Sequence, residues 1–406
     1  MDRRIALAQG RTLPERVEGA ALFGDISGFT PLTEALVREF GPQRGAEELT
    51  RQLNQVYDAL VNELHRYRGS VISFSGDAIT CWFDEDTGIQ AATCALEMQE
   101  AMKAFASIAI PSPRRDGQAI QVSLAMKAAV AVGSARRFVV GDPKLQLMDV
   151  LAGTTLDRLA AGEHQAQKGE VVLDQAAVDA LAEEVMVREW REDHETGEKY
   201  AVIEGVQGSA TMISASSLFA NTLPDEIVKD WLLPPVYERL RRGQGDFLAE
   251  LRPTVSVFLR FGGIDYDDNE AAGEKLDAYI CWVQNALAEY DGYLLQVTVG
   301  DKGSYLMAAF GAPVAHENDA VRAVSAGLKL IDTPDSLAFV QSVQIGIAIG
   351  RTRTGAYGGN ARRTYGVMGD DVNLAARLMQ AAPPGQIFVS EPTRQATGNV
   401  FSWENL

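Results

Sequence analysis

Two aspartates in the first half of the sequence occur where they could bind metal ions. Asp25 lies within Phe23–Thr30, where a short apolar strand is expected to end, a glycine-containing turn follows and a helix begins. Asp77 lies at the tip of the next expected hairpin, in Ser75-Gly76-Asp77. If the two strands are adjacent, both carboxylates lie at one edge of a sheet and, with substrate oxygens, form a site that suits Mg²⁺. Two such ions could activate an attacking hydroxyl group and neutralise a leaving phosphate.

The turn after Asp25 could hold a phosphate directly. Backbone N–H groups at a helix N-terminus bind phosphate, and the residues that lead into the expected helix are Ile26, Ser27, Gly28, Phe29 and Thr30. Aspartates beside glycines are also common turn residues, so either aspartate alone is explained as well by a turn. The presence of both at strand ends of one domain favours metal binding.

A second group of polar residues lies on one helix of the second half. The segment Asp370–Met379 predicts a helix with Asp370 as its N-cap, and apolar residues cover most of its circumference. Asn373, Arg377 and Gln380 share the remaining narrow arc, with Asn373 and Arg377 as i, i+4 neighbours. An arginine on such a helix requires an anionic partner. That partner is either a bound anion or a carboxylate in an ordinary salt bridge at a domain interface.

The two halves of the chain repeat one another. Lys127–Gly133 is similar to Gln344–Gly350, and Gly169–Leu173 is similar to Gly385–Val389. The order and spacing of these segments are nearly the same in both halves. We therefore expect a duplicated domain whose copies form a pseudo-symmetric pair, like a dimer with fused subunits.

The expected organisation is an N-terminal segment, a first domain, a linker and a second domain, with the bounds 1–16, 17–205, 206–250 and 251–406. The linker contains Pro234-Pro235, after which a helix is expected from Val236 to Leu251. In the first domain, helix-period apolar residues run from Thr30 to Tyr67, and short apolar strands and hairpins flank this stretch. The mixture predicts an α+β fold with a largely antiparallel sheet.

Each half retains the chemical groups that the other lacks. The mismatched positions are Arg260 opposite Asp25, Ser304 opposite Asp77, Asp157 opposite Asn373 and Ala161 opposite Arg377. Neither residue opposite an aspartate can hold a cation. The simplest interpretation is one composite site between the halves and a second, degenerate site related to it by the pseudo-twofold axis.

Composition and charge exclude several functional classes. Lys plus Arg total 37 and Asp plus Glu total 55, and the resulting net charge of −18 disfavours non-specific binding to nucleic acid. Cys81, Cys94 and Cys281 lie far apart, so we expect neither a disulfide framework nor a zinc site, and a reducing, cytoplasmic setting is favoured. No apolar run approaches the ~18 residues of a membrane span, so no membrane insertion is expected.

Three motifs together resemble those of the class III nucleotidyl cyclases. They are Phe-Gly-Asp-Ile-Ser-Gly-Phe-Thr from Phe23, Ser-Gly-Asp-Ala from Ser75 and Gly-Asp-Asp-Val-Asn-Leu-Ala-Ala-Arg-Leu from Gly369. Their tandem arrangement is similar to that of the soluble adenylyl cyclases. The resemblance implies two ferredoxin-like domains packed head to tail as an intramolecular pseudo-dimer. It implies that ATP is converted to 3′,5′-cyclic AMP and pyrophosphate when the 3′-hydroxyl attacks the α-phosphate.

The resemblance also implies a role for each motif residue. Asp25 and Asp77 would bind two Mg²⁺ or Mn²⁺ ions, with the carbonyl of Ile26 assisting. Asn373 would orient the ribose, and Arg377 would stabilise the pentavalent α-phosphate. These roles agree with the general need for fixed cations near the phosphoryl oxygens where charge develops.

Three further positions bear on the substrate. Lys127, on a strand that is expected to begin at Gln121, matches a lysine with which soluble cyclases bind the terminal phosphate, although by itself it is equally explained as a surface lysine at a strand edge. Lys302 matches a lysine that reads the purine and favours ATP, and by itself it is explained as a solvated hairpin residue. Gly366 departs from the family pattern, since adenylyl cyclases usually place a side chain there to contact the adenine amine.

Two other functions stay open from the sequence: a guanylyl cyclase, and a catalytically silent nucleotide-sensing module. The first half ends in an expected strand, Lys199–Ile203, for which the second half has no counterpart. We therefore expect a regulatory region beyond residue 406.

Overall fold

The computed structural model describes residues 3–111, 119–194, 196–208, 210–212, 223–244, 250–300 and 303–404. The chain divides into two compact units that are each made of separate segments. Unit 1 comprises Met1–Arg137, Leu151–Ile227 and Tyr357–Thr364, and unit 2 comprises Phe138–Val150, Val228–Ala356 and Tyr365–Leu406. Each unit therefore includes one short segment from the opposite half of the sequence.

The first half alternates strands and helices. Its helices are α1 (Arg3–Ala8), α2 (Phe29–Phe40), α3 (Pro42–Arg66), α4 (Ile89–Met102), α5 (Thr154–Gln165) and α6 (Gln175–Leu181). Its strands are β1 (Arg16–Ser27), β2 (Ser70–Ser75), β3 (Ala78–Asp84), β4 (Ile108–Ile110), β5 (Ile120–Val122), β6 (Ala125–Val140), β7 (Met148–Ala152), β8 (Val171–Asp174), β9 (Val185–Glu192) and β10 (Lys199–Val206).

Eight of these strands form a sheet with the order β2-β3-β1-β6-β8-β10-β9, in which β7 also pairs with β6, and β4 and β5 form a separate two-stranded sheet. Strand β1 lies between β3 and β6 and is antiparallel to both, whereas β8 is parallel to β6. The central residues Ala20–Leu22 of β1 are completely buried, because α4 and α5 both pack against this strand. The hydrophobic core of the first half therefore surrounds the strand that carries Asp25.

The second half repeats this arrangement. Its helices, with those of the linker, are α7 (Asp225–Asp230), α8 (Pro234–Arg241), α9 (Ala272–Ala288), α10 (Asp319–Ile331), α11 (Asp370–Ala381) and α12 (Glu391–Ala396). Its strands are β11 (Glu250–Gly262), β12 (Tyr293–Gly300), β13 (Gly303–Phe310), β14 (Gln341–Gly358), β15 (Arg363–Met368) and β16 (Ile387–Val389).

The second sheet has the order β12-β13-β11-β14-β15, with β16 parallel to β14. The strands β12, β13, β11 and β14 follow one another as β2, β3, β1 and β6 do in the first sheet. Strands β15 and β16 pair with β14 as β7 and β8 pair with β6. The registers agree as well. Asp25 on β1 is opposite Lys127 on β6, and Arg260 on β11 is opposite Gln344 on β14. The central strands β1 and β11 are antiparallel to both of their neighbours, whereas the β6–β8 and β14–β16 pairs are parallel, so the expected α+β class is confirmed.

The helical stretch that the sequence predicts from Thr30 to Tyr67 is two helices. Gly41 adopts a φ of 80° between α2 and α3, a conformation that favours glycine, and Pro42 occupies the first turn of α3, where a missing N–H costs nothing. The predicted helical period is confirmed in α3, because the apolar residues that define it are all buried: Leu49, Leu53, Val56, Leu60 and Leu64.

Three local predictions are wrong. The linker helix does not extend from Val236 to Leu251, because α8 ends at Arg241, Gly243 follows with a φ of 70°, and β11 already begins at Glu250. The cap of α11 is Gly369 rather than Asp370, which is the first helical residue. Lys127 does not lie on a strand that begins at Gln121, since β5 ends at Val122 and Lys127 belongs to β6.

Within the described ranges, no helix has the length and apolar character needed to cross a membrane.

Candidate active site

The two candidate metal ligands lie close together in unit 1, Asp25 on β1 and Asp77 in the turn between β2 and β3. Asp25 is close to the C-terminal end of β1 and is paired with Ala78, the first residue of β3. The N–H of Ile26 donates a hydrogen bond of 3.0 Å to the carbonyl oxygen of Asp77. This bond ties the end of β1 to the turn between β2 and β3. The prediction that the two strands are adjacent is confirmed, and both aspartates lie at the same end of this strand pair.

The carboxyl groups of both aspartates have raised pKa values. Loss of hydration raises the pKa of Asp77 to about 6, and the charge of Asp25 adds to the increase. Asp77 is exposed as a residue although its carboxyl group packs against neighbouring atoms, so solvent screens part of this effect. Burial also raises the pKa of Asp25, and Lys127 opposes that rise. Two oxygen donors whose charges repel each other fit a divalent cation, which would relieve the repulsion.

The turn between β1 and α2 requires glycine at position 28. Gly28 precedes α2 with a φ of 106°, and a Cβ atom there would lie 2.3 Å from the carbonyl oxygen of Ser123. No side-chain hydrogen bond caps α2 at this residue, so the first N–H groups of the helix are the ones that could meet an anion. The N–H of Ile26 is not among them, because it is bonded to Asp77.

The other predicted phosphate-binding residues differ in exposure. Phe29 is buried and Thr30 is exposed. Ser27 is half-buried, and its hydroxyl donates a hydrogen bond of 3.2 Å to the carbonyl oxygen of Ala125 on β6. The Ser27 side chain is therefore used to hold β1 against β6, and the backbone of this turn is the part that suits a phosphate.

Lys127 lies beside the aspartates rather than at a solvated strand edge. Its Nζ is 3.8 Å from Oδ2 of Asp25 and forms a closer ion pair with Glu163. Only 26% of the Lys127 side chain is exposed. The structure thus gathers Asp25, Asp77, Lys127 and Glu163 in unit 1.

Helix α11 in unit 2 presents the predicted polar edge. It approaches β14 closely because Gly346 has no side chain: a Cβ atom there would lie 2.1 Å from the carbonyl oxygen of Ala375. The opposite edge of the helix is exposed and consists of Asn373, Arg377 and Gln380. In the part of the chain that the structure describes, no carboxylate forms an ion pair with Arg377. That arginine is therefore available to an anion.

The remaining predicted residues of the second half belong to the strands of its sheet. Gly366 is a buried residue of β15. Because glycine has no side chain, only its backbone could contact a ligand. Lys302 lies outside the described residues. Asp157 holds the fourth position of α5, as Asn373 does in α11, and both are exposed. The two residues thus hold equal positions in their helices.

Two residues near the aspartates were not found from the sequence. Glu163 lies in the last turn of α5 and pairs with Lys127. Tyr57 is completely buried on α3, and its hydroxyl donates to the carbonyl oxygen of Gly76, beside Asp77. The sequence indicates Tyr57 only weakly: a tyrosine on the apolar face of a predicted helix is expected to be buried, and a buried tyrosine usually has a hydrogen-bond partner for its hydroxyl. The sequence does not indicate Glu163 at all, since a glutamate near a helix end is an ordinary surface residue.

The chain is similar to known proteins in sequence. The family described as Adenylate and Guanylate cyclase catalytic domain matches residues 276–405. Adenylate cyclase type 10 from Mus musculus is 24% identical over 93% of this chain, and the same protein from Homo sapiens is 26% identical over 93% of it. The chain spans 25% of the length of each of these relatives.

The fold is also similar to that of a solved structure. A class III adenylyl cyclase-like ATP-binding protein from Pseudomonas aeruginosa superimposes with a TM-score of 0.59, covering 97% of this chain and 91% of that one. The two sequences are 14% identical, so this likeness concerns the fold alone. The sequence similarity to the adenylate cyclases runs through both halves of the chain, and residues 276–405 match the catalytic domain of the adenylate and guanylate cyclases.

Proposed function

We propose that the chain is an adenylyl cyclase, which converts ATP to 3′,5′-cyclic AMP and pyrophosphate. The observation that carries the proposal is the placement of Asp25, near the end of β1, beside Asp77, in the turn that leads into the neighbouring strand β3, with the hydrogen bond from Ile26 to Asp77 joining the two segments. The name of the mammalian relatives, adenylate cyclase type 10, supports ATP as the nucleotide.

We propose further that the halves are ferredoxin-like domains, with the bounds 17–205 and 251–406, packed head to tail as an intramolecular pseudo-dimer. The common strand order of the two sheets supports this arrangement. In such a pair, the aspartates of the first half and the Asn373–Arg377 edge of the second act on one nucleotide. The complementary losses at Arg260 and Ala161 favour a single composite site over two equivalent ones.

On the first half, Asp25 and Asp77, with the carbonyl of Ile26, would hold two Mg²⁺ or Mn²⁺ ions. When bound, these ions would neutralise phosphate charge and lower the pKa of the 3′-hydroxyl. The N–H groups at the start of α2 donate hydrogen bonds to the phosphate oxygens, as helix N-termini commonly do. Lys127 binds the terminal phosphate, which its position beside Asp25 supports.

On the second half, Asn373 orients the ribose and Arg377 faces the α-phosphate. The 3′-hydroxyl attacks that phosphorus in line, the bond to the bridging oxygen breaks, and pyrophosphate leaves. Negative charge grows on the oxygens of the α-phosphate during this step, and a fixed guanidinium stabilises it more than it stabilises the ground state.

Recognition of adenine is assigned to Lys302 and to the backbone at Gly366. A lysine can donate a hydrogen bond to a ring nitrogen of adenine, and a backbone carbonyl can accept one from the exocyclic amine. A pocket that leaves polar groups unpaired with the wrong base can discriminate by roughly 10⁴ or more, whereas a pocket without such a side chain discriminates less. We therefore expect a preference for ATP together with measurable turnover of GTP.

The test is to incubate the purified chain with ATP or GTP and Mg²⁺ or Mn²⁺, and to measure the cyclic product. Cyclic AMP as the main product supports the proposal, and a preference for GTP overturns it in favour of a guanylyl cyclase. No product from either nucleotide, combined with nucleotide binding, supports the silent sensor instead. The Asp25→Ala variant serves as the inactive reference in every arm.

A further inference from the structure

Lys127 lies between two carboxylates in unit 1. Its Nζ pairs with Oε1 of Glu163 and is 3.8 Å from Oδ2 of Asp25. The side chains of Lys127, Asp25 and Glu163 are exposed by 26%, 28% and 15%, so all three are largely shielded from solvent. An ammonium group in this position neutralises part of the charge of both neighbours.

The arrangement follows from the fold. Antiparallel pairing places Lys127 on β6 directly opposite Asp25 on β1. Helix α5 packs against β1 and contributes Glu163 from its last turn. The lysine therefore has two acceptors that lie on different elements.

We propose that Glu163 is a positioning residue that holds Lys127 away from Asp25 and so leaves that carboxylate open to a divalent cation. In the metal-free chain, the ammonium of Lys127 already pairs with Glu163 and lies 3.8 Å from Oδ2 of Asp25, where it still neutralises part of that charge. A divalent cation at Asp25 repels the ammonium, and Glu163 retains it. The inference rests on the proposed function in one respect, namely that Asp25 is a metal ligand.

The proposal gives Lys127 and Glu163 opposite effects on metal affinity. Lys127 competes with the metal for Asp25, so its removal strengthens metal binding even though it removes a residue assigned to ATP. Glu163 offers the displaced lysine a partner, so loss of its charge weakens metal binding. The loss is larger when Lys127 is present, because only then does the lysine return to Asp25.

The experiment measures binding of Mn²⁺ to the nucleotide-free full chain by electron paramagnetic resonance at fixed ionic strength. Lys127→Met should bind Mn²⁺ about fivefold more tightly and Glu163→Gln about threefold more weakly, since partly exposed ion pairs at this distance are worth factors of this order. In the Lys127→Met background, Glu163→Gln should have a clearly smaller effect. A merely electrostatic or structural role of Glu163 gives the same effect in both backgrounds.

Two controls accompany the measurement. Asp157→Asn removes one negative charge from the same helix, α5, and should leave the Mn²⁺ affinity unchanged. Asp25→Asn should abolish the binding, which identifies the site that is measured. Lys127→Gln replaces Lys127→Met if the latter does not fold.

The outcomes separate the inference from the proposed function. If Mn²⁺ binding depends on Asp25 but does not strengthen in Lys127→Met, or if Glu163→Gln costs the same in both backgrounds, the inference is overturned and the metal site stands. If the wild-type chain shows no Asp25-dependent binding of Mn²⁺, the metal assignment falls and the inference falls with it.

Discussion

The hydroxyl of Tyr57 donates a hydrogen bond of 2.9 Å to the carbonyl oxygen of Gly76, the residue before Asp77. The Tyr57 ring also packs edge-on against Phe74 of β2, with the ring centroids 4.9 Å apart. Helix α3 thus holds both the strand that leads into the turn and the turn itself. The placement of Asp77 depends on this buried tyrosine as well as on the pairing of β1 with β3.

The Tyr57→Phe variant tests this support. It keeps the ring and removes the hydrogen bond to Gly76, which should lower the free energy of unfolding by about 1 kcal/mol and loosen the Asp77 turn. We expect a severalfold rise in the metal concentration needed for half-maximal cyclase activity, with a smaller change in kcat. The measurements are a denaturant titration and a metal titration of activity.

Tyr279→Phe is the matched control for this change. Tyr279 is completely buried on α9 in unit 2, and its hydroxyl has no hydrogen-bond partner within the described residues. Removal of that hydroxyl should therefore leave stability unchanged or slightly increased. Equal metal dependence of Tyr57→Phe and Tyr279→Phe would show that Tyr57 does not position the turn.

The Asp25→Ala and Asp77→Ala variants should each abolish turnover while the fold is kept. Both aspartates lie near one end of the β1–β3 pair, outside the apolar core, so their removal leaves the packing intact. Loss of a metal ligand removes several kcal/mol of transition-state stabilisation, and we expect activity to fall by about 100-fold or more. Circular dichroism checks that the fold is kept, and a cyclic AMP assay with Mg²⁺ measures the loss of turnover. Turnover at the wild-type rate by either variant would rule out the two-metal assignment.

The Arg377→Ala variant should lower kcat much more than it raises KM. A group that acts mainly on developing charge lowers kcat and kcat/KM together. The mirror change, Asp157→Ala, alters the position of α5 that corresponds to Asn373. It should leave the rate nearly unaltered, because Arg260 and Ser304, the residues opposite Asp25 and Asp77, cannot hold a cation. Steady-state kinetics with ATP distinguish the cases, and a pure KM effect in Arg377→Ala would place this arginine on the ground-state triphosphate.

The stability of the metal-free chain should depend on pH through Asp77. Burial of its carboxyl and the charge of Asp25 raise its pKa from 3.8 to about 6. Between these two values the folded chain binds more protons than the unfolded chain, so this group destabilises the fold increasingly as pH rises through the interval. Above about pH 6 the ionised carboxyl of Asp77 destabilises the fold to its full extent, and below about pH 4 this destabilisation is absent.

The Asp77→Asn variant makes this dependence measurable. In the presence of a chelator it should raise Tm by about 1–2 °C at pH 7.5, because solvent screening reduces the effect at an exposed residue. At pH 5 the gain should shrink, since the wild-type carboxyl is then mostly protonated. A gain in Tm that is equal at both pH values would contradict the raised pKa.

The sequence by itself determined which residues are the candidates for the site. Asp25 and Asp77 stand next to glycine turns, and Asn373 and Arg377 share one face of a helix, because strand ends, turns and helical periods are encoded by neighbouring residues. The same local patterns gave the strands of both halves and their common order of motifs. They did not give the break at Gly41 or the end of α8, where single glycines outweigh a continuous apolar period.

Only the tertiary structure decided which residues surround those motifs. Lys127 is opposite Asp25 because β6 pairs with β1 in one register, and Glu163 reaches the same lysine because α5 packs across that sheet. Tyr57 meets Gly76 because α3 lies over the hairpin of β2 and β3. These contacts join residues far apart in the chain, and they depend on strand order and on how helices cross the sheet. Such properties arise from the packing of the whole core, so no local spacing in the sequence can specify them.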